Sequence, residues 1–151
     1  MDVLQPGCRW SSQPCNGTEA VITGGAENTV AANADSAFIG SGFRNTVNAA
    51  FGTLTGGRYN TINGVHCSIS GGHQHINSGS ASAIGGGFQN RISLDAAYAV
   101  ISGGIHNSAN DLYATVGGGR ENTADEQASV VSGGRNNKVT ASYGTVSGGY
   151  R

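Results

Sequence analysis

The sequence predicts an all-β chain, a β-solenoid of about 15-residue coils. Three observations carry that expectation: a Gly-Gly step at a fixed spacing, small and aliphatic positions alternating two apart beside it, and an asparagine column in register with both.

The last glycine of the step falls at Gly25, Gly42, Gly57, Gly72, Gly87, Gly104, Gly119, Gly134 and Gly149, with Gly-Ser-Gly replacing Gly-Gly once. The successive differences are 17, 15, 15, 15, 17, 15, 15 and 15, a period of 15 with two residues added at every fourth interval. Glycine makes up 26 of 151 residues and proline only 2, so a content that suggests disorder in an unpatterned chain is periodic here.

Three residues before this anchor stand Ile22, Ile39, Leu54, Ile69, Ile84, Ile101, Val116, Val131 and Val146. Five before it stand only small residues: Ala20, Ala37, Gly52, Cys67, Ser82, Ala99, Ala114, Ser129 and Gly144. This alternation is a strand signature. Three after the anchor come Asn28, Asn45, Asn60, Asn90, Asn107, Asn122 and Asn137, with His75 in the remaining copy. Five after it comes a mostly aliphatic column from Val30 to Val139, broken by Asn77. Each unit therefore supplies two short strands and two turns, and no unit buries its apolar side alone, so units must stack. Stacking at about 4.8 Å per coil gives a body on the order of 40 Å long. The asparagines then form a structural ladder in which each amide is expected to bond the amides above and below.

From the second coil on, the opposite face of the first strand carries no charge. It holds Phe38 among the residues four before the anchor, and Phe51, His66, Tyr98, Tyr113 and Tyr143 among those six before it. A contiguous apolar stripe marks an interface, so Phe38, Phe51, Tyr98, Tyr113 and Tyr143 are the expected oligomer contacts. Arg44, Arg58, Arg120, Glu121 and Arg135 cluster just after the anchor, which predicts a solvated turn edge.

Stretches such as Val146-Ser147-Gly148-Gly149 and Ile101-Ser102-Gly103-Gly104-Ile105-His106-Asn107 resemble the head repeats of trimeric autotransporter adhesins, and related Gly-Gly-x-x-Asn repeats of phage and large-virus fibre proteins. The resemblance covers residues 20–151 and leaves 1–19 as a segment expected to cap or anchor the first coil. It implies a left-handed parallel β-roll and a homotrimer. It also implies a structural or attachment role at a cell surface or on a virion, with a host glycan, a host protein or other fibre and capsid proteins as partners. The chain shows no signal peptide, coiled-coil stalk or membrane anchor, which departs from a complete autotransporter and favours a fragment or a virion protein.

Charged residues are 11% with a net charge of −1, so no basic stripe for nucleic acid is present, and no apolar run reaches the ~20 residues of a membrane span. No cofactor, metal site or catalytic residue is expected. Cys8 and Cys15 either bridge a small loop or stay reduced, and Cys67 reads as a buried small residue with His66 on the opposite face. His73-Gln74-His75 resembles the metal-binding tips of phage spikes, but it lies mid-chain with His75 facing the core, so the expectation is a surface histidine beside one that replaces an amide.

Two other functions make demands that the sequence does not meet. A polysaccharide-degrading tail spike would need paired carboxylates or a Tyr/Arg/His group in a groove, and Asp35, Asp95, Asp111, Asp125 and Glu126 fall mostly in connecting loops. An ice-binding solenoid would need a regular threonine row, and Thr29, Thr46 and Thr61 give way to Ile76, Arg91, Ser108, Thr123 and Lys138.

Overall fold

A computed structural model describes residues 13–151. Among the described residues there is no helix, and the strands are each two residues long. Nine of them, from Val21–Ile22 to Thr145–Val146, stack as one parallel sheet. Eight, from Thr29–Val30 to Lys138–Val139, stack as a second. The chain visits the sheets alternately, and each strand pairs with its equivalent in the next coil. Ile22 lies opposite Ile39, Leu54 opposite Ile69, and Val30 opposite Val47. The β-solenoid expected from the repeat is therefore the fold. The two-residue insertions leave the register intact: Val100 pairs with Ala83 across one of them, because the extra Leu94 and Asp95 sit in the turn. A third set of single-residue bridges runs through the position after the anchor, from Ala26 and Phe43 to Arg135 and Tyr150.

The strands are short because the chain must change direction at both ends of each, and three positions per coil do this with positive φ. One is the anchor glycine. The other two carry side chains. Six before the anchor lie Phe51 (φ 58°), Tyr98 (60°), Tyr113 (60°) and Tyr143 (60°), and two after it lie Arg44 (52°) and Tyr59 (57°) with their equivalents. Four of the expected interface residues are thus not on a strand face, as the alternation suggested; they occupy a left-handed corner beside the strand, while Phe38 remains in it. The reason is hydrogen-bond direction. Most backbone N–H groups donate to the following coil, as Thr29 does to the Asn45 carbonyl at 2.8 Å. At the left-handed corners the peptide flips and the N–H donates to the preceding coil: Phe51 to Asp35 at 2.9 Å, Arg44 to Ala26 at 3.1 Å. Both sides of each coil's backbone are thereby satisfied.

The aliphatic column three before the anchor and its partner five after it meet between the sheets as a continuous thin core, with the small column beside them. The coil register also begins before residue 20. Cys15 bridges Val30, and Gln13 uses its side chain as the asparagines do, accepting from Asn28 N–H at 3.1 Å and donating to the Gly25 carbonyl at 3.2 Å. A glutamine one coil ahead of Asn28 was the sequence signal for this. Residues 1–12 of the expected cap lie outside the described residues.

Candidate functional site

The asparagine column is buried, but its bonds differ from the expected amide-to-amide stack. Asn107 Oδ1 accepts the backbone N–H of Asn122 at 2.9 Å, while Nδ2 donates to the carbonyls of Gly103 and of Gly119, the anchor one coil on, both at 3.0 Å. Asn28, Asn45, Asn60, Asn90 and Asn122 repeat the Nδ2 pair. Asn137, in the last such coil, adds an amide bond to Asn122. Each asparagine therefore clamps its own turn to its neighbours through backbone groups. A true side-chain ladder runs elsewhere, six residues after the anchor: Asn48 donates to Asn63 at 2.8 Å, and Asn110 to Asp125 at 2.8 Å. The Asn110 bond, and then Lys138, hold the Asp125 carboxyl below its ordinary range.

His75 fills the missing rung. It is 0% exposed; its backbone N–H donates to Asn60 Oδ1 and its Nδ1 accepts from Asn90 N–H, each at 3.0 Å. Its Nε2 makes no hydrogen bond, the one such buried side-chain atom among the described residues. Burial lowers its pKa below the ordinary 6.5, against backbone hydrogen-bonding groups of Gly87 and Asn90 that raise it. Where the unfolded histidine protonates and the folded one does not, stability falls as pH falls. The chain is thus expected to lose stability as pH drops below about 6.5 toward the lower folded pKa, and to show no His75 contribution above it. His75→Asn supplies the missing donors, so it should gain about 1–3 kcal/mol. Urea melts of both chains from neutral to mildly acidic pH check this; a difference that does not widen on the acid side contradicts it.

The same coil carries Asn77 at a core position. Its Nδ2 donates to the Ser68 and Ser82 carbonyls at 3.2 and 3.1 Å, and the Ser82 hydroxyl donates to Asn77 Oδ1. The free Cys67 thiol donates to the Gly79 carbonyl at 2.6 Å, whereas His66 is exposed and stacks on Phe51 at 4.6 Å. Cys15 is disulfide-bonded, and Cys8 lies outside the described residues.

Two surfaces remain. The corner six before the anchor exposes Phe51 (50%), Tyr98 (56%), Tyr113 (50%) and Tyr143 (74%), and Phe38 lies half-buried on the adjoining strand. Tyr98 and Tyr113 stack at 5.2 Å, so the coil spacing brings neighbouring rings together. The opposite turn carries a second ring track that the separate columns did not disclose: Phe43, Tyr59, His73, Phe88 and His106, each 5.1–5.7 Å from the next. Its members fall at either the first or the second residue after the anchor, so neither column alone is aromatic. This is also the charged edge. Arg44 lies 4.9 Å over Phe43 and pairs with Glu27 at 2.5 Å; that bond, then one to Tyr59, raises its pKa. Arg120 and Arg135 flank Glu121 at 3.0 and 3.5 Å. Burial alone pulls the Glu121 carboxyl up, but the two guanidinium groups outweigh it and leave it low. His73 belongs to this edge and His75 to the core. Asp35, Asp95, Asp111, Asp125 and Glu126 lie along the other turn, in the connections that lead from the second sheet back to the first.

The fold and these surfaces define a β-solenoid repeat protein. No family model matches the chain, and no curated protein matches it.

Proposed function

We propose that this chain is a structural and attachment module of a surface or virion fibre, non-catalytic and working as a homotrimer. The observation that carries the proposal is the uncharged column of exposed rings Phe51, Tyr98, Tyr113 and Tyr143 beside Phe38. Each coil has a core only a few side chains wide, and apolar surface of this extent is what association removes from water. A body whose coils differ little along its length suits spanning a distance and presenting a repeated surface to a host glycan or protein.

Light scattering coupled to size exclusion tests the assembly. The expected mass at micromolar concentration is three times that of the 15.2 kDa chain, and Tyr98→Glu with Tyr113→Glu should shift it to a single chain. A folded wild-type monomer contradicts the proposal.

A further inference from the structure

We infer that copies of this chain associate edge to edge, parallel and at the same axial level, with the arginine-bearing turn of one copy against the acidic turn of the next. This rests on the self-association proposed above and specifies which faces meet.

The chain alternates between two sheets, so its two turns lie at opposite edges of the solenoid. The turn after the anchor carries Arg44, Arg58, Arg120, Arg135 and Arg151 against only Glu27 and Glu121. The turn leading back to the first sheet carries Glu19, Asp35, Asp95, Asp111, Asp125 and Glu126, and no lysine or arginine among the described residues. Asp125 is paired with Lys138 at 2.9 Å, and no cation of the described residues lies within ion-pair distance of Asp35, Asp95, Asp111 or Glu126.

The two edges match level by level. Asp35 shares a coil with Arg44, Asp95 with His106, Asp111 with Arg120, and Glu126 with Arg135. Where the acidic edge is uncharged, at Phe51, His66 and Ala81, the other edge presents Tyr59, His73 and Phe88. Parallel copies at one height therefore set opposite charges together at the coils of Asp35, Asp111 and Glu126, with uncharged, mostly aromatic groups at the coils of Phe51, His66 and Ala81. Arg58 and Arg151 face uncharged coils, and the first coil departs from the pattern with Glu19 level with Glu27.

The alternative arrangements are penalised by the same charges. An antiparallel pair joined by like edges and centred on the middle coil sets Arg44 against Arg135 and Arg58 against Arg120, or Asp35 against Glu126. Like charges juxtaposed across an interface select against that partner. A contact between two different edges, repeated about an axis parallel to the solenoid, closes as a ring.

Charge reversal tests this by light scattering, with far-UV circular dichroism to confirm folding. Arg120→Glu with Arg135→Glu should reduce the assembly to single chains, as should Asp111→Arg with Glu126→Arg. The chain carrying all four should regain the wild-type mass, because both altered junctions are again opposite in sign. Should a reversed chain not fold, Arg120→Gln with Arg135→Gln should still weaken association about tenfold or more. Two-substitution chains that keep the wild-type mass, or a folded four-substitution chain that stays monomeric, overturn the edge assignment alone. A monomeric wild-type chain overturns the assembly itself.

Discussion

Gly104→Ala is expected to break the solenoid at its sixth anchor. Gly104 has φ +89°, and a Cβ there would lie 2.2 Å from the Gly119 carbonyl oxygen, 2.6 Å from Asn107 Nδ2 and 2.9 Å from the Gly119 nitrogen. Two of these atoms belong to the backbone of the next coil, so neither moves without shifting the stack. A left-handed alanine costs about 1–2 kcal/mol, and an overpacked contact with backbone adds about 1–3 kcal/mol more. Because each coil contacts only its neighbours, the loss falls on one junction, and urea denaturation should show an earlier or divided transition. The neighbouring Gly103 is the control: its φ is not in the left-handed range, and the nearest atom to an added Cβ is the Gly86 oxygen at 3.8 Å. Gly103→Ala should change stability by no more than about 1 kcal/mol in either direction. Equal losses at the two positions would contradict the close-approach account.

Asn107→Asp is expected to cost more than Asn107→Leu. Both substitutions remove the amide that donates to the Gly103 and Gly119 carbonyls at 3.0 Å. Leucine leaves these groups and the Asn122 N–H unpaired, at about 1–3 kcal/mol for each buried group left without a partner. Aspartate keeps the acceptor for Asn122 but sets an oxygen against two carbonyl oxygens and buries a charge at a site with 0% exposure. Its carboxyl pKa in the folded chain should therefore rise above the unfolded value near 3.9. The sign follows: the deficit is full at neutral pH and shrinks as pH falls through the raised pKa, where the folded carboxyl gains a proton and a donor. Thermal melts at neutral and acidic pH read this directly. A deficit of the aspartate chain relative to the leucine chain that grows on acidification would contradict the bonding scheme.

The coil itself was legible in the sequence because its constraints act on residue identity. The anchor tolerates only glycine, as no side chain fits beneath the next coil's carbonyl, and the columns that include Ile101 and Val47 face a core closed on all sides. The left-handed corners were hidden for the opposite reason. Phe51, Ala81, Arg44 and Gln74 share positive φ without sharing chemistry, because the conformation is imposed by hydrogen bonds to the preceding coil. The ladder was visible as a column, but its route through backbone groups was not, since asparagine suits either arrangement. Gln13 does not stand out in the sequence as the first rung because it is one methylene longer, nor does the ring track because it crosses between two columns.

The claim on which the rest depends is that each asparagine side chain holds a backbone N–H one coil away. Native-state hydrogen exchange at the amides of Asn45, Asn60, Asn107 and Asn122 tests it most directly, because these residues lie just outside the strands and their N–H groups donate to side-chain oxygens instead of backbone carbonyls. Their exchange should be as slow as that of strand amides whose bonds run between coils, such as Thr46 and Val100. Exchange at the rate of an open turn, with the strand amides still protected, would contradict it.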